Sequence, residues 1–199
     1  MRDEDFLTGK KEFDPYKTLA NVGFSYKHRP FSMTFRSTTS QGEKLISTMD
    51  RTLVMFDKYL EIGFHINSQK LFGAGEHKSA FLLKPGLYSI FARDQEGTPV
   101  AKGDGRTPLY GAHPFIMFQS RESGDFAALY FFNSNAQQFS VTFLEDGTSI
   151  VNYVTTGGVL DFFVLTHGNA KSIMRAYFDL IGRPLLPPFW ALGFHQCSF

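Results

Sequence analysis

Cysteine is nearly missing from this chain. The single thiol, Cys197, excludes an internal disulfide, so nothing covalent staples the fold. Cys197 sits in an apolar run, where a buried and inert thiol is expected. Asn-X-Ser/Thr sequons are missing too, since Asn67-Ser68-Gln69 and Asn133-Ser134-Asn135 both fail the pattern. No apolar run is long enough to span a bilayer, and no apolar stretch follows Met1-Arg2-Asp3-Glu4-Asp5, so the start does not read as a signal peptide. No membrane partner is expected, and a genuine start would place the chain in the cytoplasm. Neither sign of charge dominates: 20 Lys and Arg stand against 19 Asp and Glu, for a net +1. That excludes the electrostatic footprint of a nucleic-acid partner. The six histidines are scattered without the spacing of a metal pair, and Gly73-Ala74-Gly75 lacks the rest of a dinucleotide fingerprint. No metal and no cofactor are expected.

What is abundant is aromatic. Phe alone occurs 23 times, and Phe suits half-buried pleated surfaces. Many short apolar runs alternate with turn residues. Val22–Lys27 and Phe31–Arg36 flank Pro30, with Phe31, Met33 and Phe35 on one strand face. Leu53–Phe56 and Tyr59–Ile66 are joined by Asp57-Lys58. Leu87–Ala92, Pro114–Gln119 and Phe126–Phe132 follow. Gln138–Leu144 and Ser149–Val154 straddle Asp146-Gly147, a strong hairpin signal. Gly158–Thr166 reads as a buried strand in which Asp161 would take a structural hydrogen-bonding role. So many short strands indicate an all-β antiparallel sandwich.

One stretch breaks that rhythm. From residue 169 the apolar side chains of Ile173, Met174, Tyr177, Phe178 and Ile181 fall at helical spacing. Asn169 or Gly168 can cap the start, Gly182 can take the position after the end, and Pro184 blocks continuation. The expected organisation is a charged leader over 1–20, a sandwich over 21–186 with a closing helix at 169–181, and a terminal piece over 187–199. In that piece Pro187-Pro188 forms an extended connector, and Phe189–Phe194 reads as a fully buried strand whose partners lie elsewhere. Between Asp94 and Tyr110 the residues Gly97, Pro99, Gly103, Gly105 and Pro108 define a long loop, of the kind that is often functional.

The run Pro187-Pro188-Phe189-Trp190-Ala191-Leu192-Gly193-Phe194-His195-Gln196-Cys197 resembles the approach to the catalytic barrel in the α-glucosidase family of glycoside hydrolases. The family includes lysosomal acid α-glucosidase, maltase-glucoamylase and sucrase-isomaltase. Tyr177-Phe178-Asp179-Leu180-Ile181-Gly182-Arg183-Pro184 resembles the helix that leads there. Gly73-Ala74-Gly75-Glu76-His77, Leu109-Tyr110-Gly111-Ala112-His113-Pro114-Phe115, Asn133-Ser134-Asn135-Ala136 and Gly157-Gly158-Val159-Leu160-Asp161-Phe162 look like further signatures in the family order. The likeness runs from about Gly23 to Gln196. It implies a galactose-mutarotase-like β-sandwich whose C-terminal helix leads into the first strand of a (β/α)8 barrel. Ser198 stands where the family has Arg, and only the charged leader precedes Gly23, which implies truncation at both ends.

Glycoside hydrolysis usually needs two flanking carboxylates. In the resembled family these are barrel aspartates placed after the position of Gln196, so no catalytic residue is expected here and the chain alone should be inactive. Glu76, Asp125 and Asp161 are separate carboxylates with no pattern that pairs them, and His113 and His195 are expected to be structural. Phe91-Ala92-Arg93-Asp94 resembles the family motif on a sandwich loop over the barrel mouth, which makes Asp94 the candidate substrate-binding residue. A carboxylate there would accept charge-assisted hydrogen bonds from sugar hydroxyls. The implied partner is an α-glucoside or maltooligosaccharide, met through a catalytic barrel. Two other readings use the same fold: an aldose mutarotase or sugar epimerase, and a non-catalytic interaction module. An unpaired apolar strand at 189–194 would also favour self-association.

Overall fold

In the computed structural model, residues 22–38, 42–48, 53–93 and 106–197 are described. The expected leader over 1–20 and Asp94 lie outside them. Twelve strands and one α-helix follow in order: β1 (Val22–His28), β2 (Phe31–Ser37), β3 (Lys44–Thr48), β4 (Val54–Phe56), β5 (Tyr59–Ile66), β6 (Leu71–Gly73), β7 (Gly86–Ile90), β8 (Phe115–Gln119), β9 (Phe126–Phe131), β10 (Gln137–Phe143), β11 (Ser149–Thr155), β12 (Phe162–His167) and α1 (Ala170–Ile181). The strands form an eight-stranded sheet ordered β1-β2-β3-β5-β11-β10-β7, with β4 also on β5, and a four-stranded sheet ordered β12-β9-β8-β6. The pairings are antiparallel. The expected sandwich is therefore the observed one.

The core lies between the sheets. Phe64 and Ile62 of β5, Val151 and Tyr153 of β11 and Phe139 of β10 meet Ile116 and Phe118 of β8 and Leu129 and Phe131 of β9. Phe131 is its hub: its ring stacks on Tyr153 with centroids 3.7 Å apart and packs edge-on against Phe64 and Phe139. Burial pushes the Tyr153 phenol up to about 12. Its hydroxyl donates to Gln137 Oε1 at 2.7 Å, so the polar tip is satisfied inside the core.

The alternate residues of β8 and β9 point the other way and are buried as well. Phe115, Met117, Ala128 and Tyr130 pack beneath Ile173 and Tyr177 of α1. Two covered faces explain why β8 and β9 read as continuous apolar runs while β11 alternates. The helix begins where its caps predict: the Asn169 side chain accepts from the Ser172 N–H at 2.9 Å. Gly182, at φ +89°, donates its N–H to Phe178 O.

Glu43, 7% exposed, ties three connections together. It accepts from Asn67 Nδ2 at 2.5 Å and from the Ser120 hydroxyl. Burial pushes this carboxyl up, but hydrogen bonds from Ser120, Asn67, Ser123 and the Glu122 backbone outweigh it and hold the group below its usual range.

Three expectations are corrected. Phe189–Leu192 is not a strand but a short 3₁₀ helix, closed by Ala191 N–H to Pro188 O at 2.9 Å. With no strand alongside it among the described residues, the backbone satisfies itself through local i to i+3 bonds. Asp161 is exposed and precedes β12, which starts one residue later at Phe162 and is half-buried rather than fully buried. Cys197 is exposed, because the apolar residues around it are themselves uncovered. The strands β3 and β6 also escaped the sequence pattern.

Truncating the hub tests this account. Phe131→Ala should destabilise the fold by about 3–5 kcal/mol in urea unfolding. Leu185→Ala, at a site 92% exposed, should change stability by less than about 0.5 kcal/mol. Similar effects for both would contradict a core centred on Phe131.

Candidate functional site

Where β7 ends, β8 begins and β9 turns into β10, the surface sinks into an open cleft of about 450 Å³. Phe91, Ala92, Pro114, Tyr130 and Phe132 give it apolar walls, and Asn133 to Gln137 give it a polar rim. Burial pushes the Tyr130 phenol up, further favouring its protonated form. Aromatic faces beside amides and hydroxyls can receive a molecule with apolar C–H faces and many hydroxyls.

The rim is built by two of the sequence signatures binding each other. Asn133 Nδ2 donates to Gly157 O at 2.9 Å and to Val159 O at 3.2 Å, and its Oδ1 accepts from the Asn135 N–H at 2.8 Å. Gly158 must stay glycine: its φ is +81°, and a Cβ would sit 2.7 Å from Asn133 Nδ2. Gln137 Nε2 donates to Asn133 O at 2.5 Å, and its Oε1 accepts a hydrogen bond from the Tyr153 hydroxyl, so the rim is anchored directly to the core.

The other two signatures meet on the opposite flank. Gly75 O accepts from His113 N–H at 2.9 Å, and Ala74 N–H donates to Phe115 O at 2.7 Å. A bridge joins His77 to Pro108. Arg93 N–H donates to Leu109 O at 2.8 Å. The Arg106 guanidinium lies 5.3 Å above the Tyr88 ring, a cation–π contact. Residues 94–105 are thus bracketed by two fixed limbs, one ending at Arg93 and one starting at Arg106. Asp94 falls inside that bracket and outside the described residues.

The other sequence candidates are dispersed. Asp125 and Asp161 lie outside the cleft lining, and among the described residues no Asp or Glu lines it. His195 Nε2 pairs with Ala191 O at 3.0 Å, and exposed His113 lies beside Gly111. Among the described residues no group of three or more His, Cys, Asp or Glu is placed to hold a metal, and no helix is long and apolar enough to cross a membrane. Tyr130 and the Ser134-Asn135 rim were not foreseen as cleft residues, because register alone brings them to one place.

An antiparallel sandwich of this topology, closed by one helix and opening a cleft at its strand ends, belongs to the galactose-mutarotase-like class. The profile of the glycosyl hydrolase 31 N-terminal galactose mutarotase-like domain matches residues 4–152, and the chain belongs to that family. Lysosomal α-glucosidase of Mus musculus is 32% identical over 182 residues, covering 91% of this chain and 18% of that protein. Intestinal sucrase-isomaltase of Homo sapiens is 35% identical over 158 residues, covering 78% of this chain and 8% of that protein. The chain thus spans less than a fifth of the length of these relatives. The Flavobacterium johnsoniae dextranase, solved with isomaltotriose, superposes with a TM-score of 0.71 at 22% identity, over 87% of this chain and 20% of the dextranase. The α subunit of glucosidase II superposes at 0.70 and 16% identity, over 83% and 23%. At those identities the superpositions speak for the fold.

Burial pushes the His77 imidazole below its ordinary value of 6.5, against smaller opposing effects of the Ser89 and Ala74 carbonyls. The neutral ring is thus the folded form. Below that pH the unfolded chain takes up a proton that the folded chain resists. The stability due to this group is whole above pH 6.5 and is lost as pH falls through its depressed folded value. The urea midpoint should drop between about pH 7 and about pH 5, and drop less in His77→Gln. Identical pH dependence in both proteins would contradict a half-buried, neutral His77.

Proposed function

We propose that this chain is the substrate-facing support of an α-glucosidase-type glycoside hydrolase, that Asp94 accepts hydrogen bonds from hydroxyls of an α-glucoside or maltooligosaccharide, and that the chain does not hydrolyse glucosides alone. The observation that carries the reading is the cleft beside Arg93, with aromatic walls and an amide rim, at the root of the bracketed segment that holds Asp94. Relatives named as α-glucosidases give the substrate class. That no Asp or Glu among the described residues lines the cleft supports inactivity: retaining and inverting hydrolysis both need two carboxylates within about 5–10 Å across the scissile bond. A catalytic barrel would supply them. The mutarotase reading gains nothing from the relatives, which carry the sandwich at the front of glycosidases.

The test is a titration of the chain with maltotriose followed by amide NMR shifts, with glucose release measured alongside. Weak saturable binding without glucose release is expected. Asp94→Ala should weaken binding by about tenfold, the worth of one hydrogen bond to a charged group. No binding, equal binding by the variant, or turnover that disappears in Asp94→Ala would overturn the reading.

A second proposal concerns the segment after α1. Phe189 and Phe194 are each 91% exposed and Trp190 73%, with Leu185, Leu186 and Leu192 also uncovered. At about 25 cal/mol per Å² these side chains leave several kcal/mol of burial unrealised. A barrel would cover them; without one, a second copy of the chain would. The chain should therefore self-associate in size-exclusion chromatography, and a form ending at Pro188 should elute as a monomer. Monomeric behaviour of both would refute self-association through this segment.

A further inference from the structure

The cleft lining includes hydrogen-bonding groups that the protein leaves uncommitted. The side-chain hydroxyls of Tyr130 and Ser134 make no hydrogen bond among the described residues. Asn135 directs its donors inward: its backbone N–H and its Nδ2 both donate to Asn133 Oδ1, at 2.8 and 2.9 Å. Its own Oδ1 remains as an acceptor. All three residues line the cleft. Two hydroxyls that donate and accept, beside a fixed amide oxygen, match the hydrogen-bonding pattern of sugar hydroxyls.

The apolar part of the lining is uncommitted in the same way. Phe132 lines the cleft and is 63% exposed. It follows Phe131, which faces the core, so it shares the outward side of the chain with Tyr130. The two rings meet edge-on, with centroids 6.4 Å apart. The Tyr130 ring is itself packed against Tyr177 and Phe163, 5.0 and 6.0 Å away. The Phe132 N–H donates to Asp161 O at 2.9 Å. Phe132 is therefore held at its backbone while its ring stays largely open to solvent. Among the described residues no charged side chain lines the cleft. An anion that entered would lose water without gaining a partner of opposite charge.

We infer that the cleft is a subsite selective for an uncharged sugar ring: the C–H face of the ring lies on Phe132, and its hydroxyls bond to Tyr130, Ser134 and Asn135. The inference rests on the reading of the chain as a sugar-facing support. It adds the groups that hold the ring and the sugars they turn away, which are uronates and sugar phosphates. Every one of those groups belongs to β9 or to the turn after it, so the subsite does not depend on Asp94.

Amide NMR titrations of the whole chain test the subsite. Phe132→Ala should weaken maltotriose binding about tenfold or more, because burial of an aromatic ring is lost. Phe132→Tyr keeps the ring and should bind like the wild type. Tyr130→Phe removes only a hydroxyl that has no partner in the described protein. It should weaken maltotriose several-fold and leave the urea midpoint unchanged, and it serves as the probe if Phe132→Ala does not fold. Glucuronate and glucose 6-phosphate should bind at least about tenfold more weakly than methyl α-glucoside. Maltotriose affinity unchanged in both Phe132→Ala and Tyr130→Phe, or anionic sugars that bind as well as the neutral one, would overturn the subsite and leave the α-glucoside reading standing. Cellotriose bound through Phe132, with maltotriose ignored, would do the reverse: the subsite would stand and the α-glucoside reading would fall. A chain that binds neither would overturn both. An Asp94→Ala protein that binds like the wild type would count against the role of Asp94 and not against the subsite.

Discussion

The four-stranded sheet is apolar on both faces, and the rest of the molecule answers to that. Ile116, Phe118, Leu129 and Phe131 look inward and Phe115, Met117, Ala128 and Tyr130 look outward, all of them buried. Leaving either face in water would forfeit roughly 1.5–3 kcal/mol for each large side chain, comparable in sum with the net stability of a domain. The eight-stranded sheet covers the inner face. The outer face needs a separate cover, and α1 supplies it with Ile173 and Tyr177.

The cleft follows from the same arrangement. Tyr130 belongs to the outward set, its ring touching Tyr177 and Phe163 on one side and Phe132 on another. As β9 runs out beyond Phe131 the chain turns at Asn133. The amides that satisfy that turn become the rim, and Tyr130 and Phe132 become the wall. Rigidity at the rim comes from the core, through Gln137 and Tyr153. On the other flank it comes from backbone pairing between the Gly73–His77 turn and the chain from Pro108 to Phe115. A binding surface held by packed strands and paired turns keeps its geometry better than one carried by a free loop.

Local chemistry decided what the sequence revealed. The β10–β11 hairpin was legible because Asp146-Gly147 supplies a residue suited to positive φ, and Gly147 sits at +83°. The helix was legible because period and both caps agree. The strand β3 was not, because Leu45 and Ile46 are adjacent and both buried, which hides the alternation. Phe189–Phe194 misled because apolar character marks a segment that wants cover without specifying strand. Asp94 was reachable only through a resemblance.

On the proposed function, sugar meets this sandwich at the cleft beside Arg93. Mapping the backbone amides perturbed by maltotriose tests it most directly. The account predicts shifts concentrated at Ile90–Arg93, Leu109–Ala112 and Asn133–Gln137, with the β4–β5 hairpin silent. Shifts concentrated on that hairpin, on the α1 face or nowhere would contradict it.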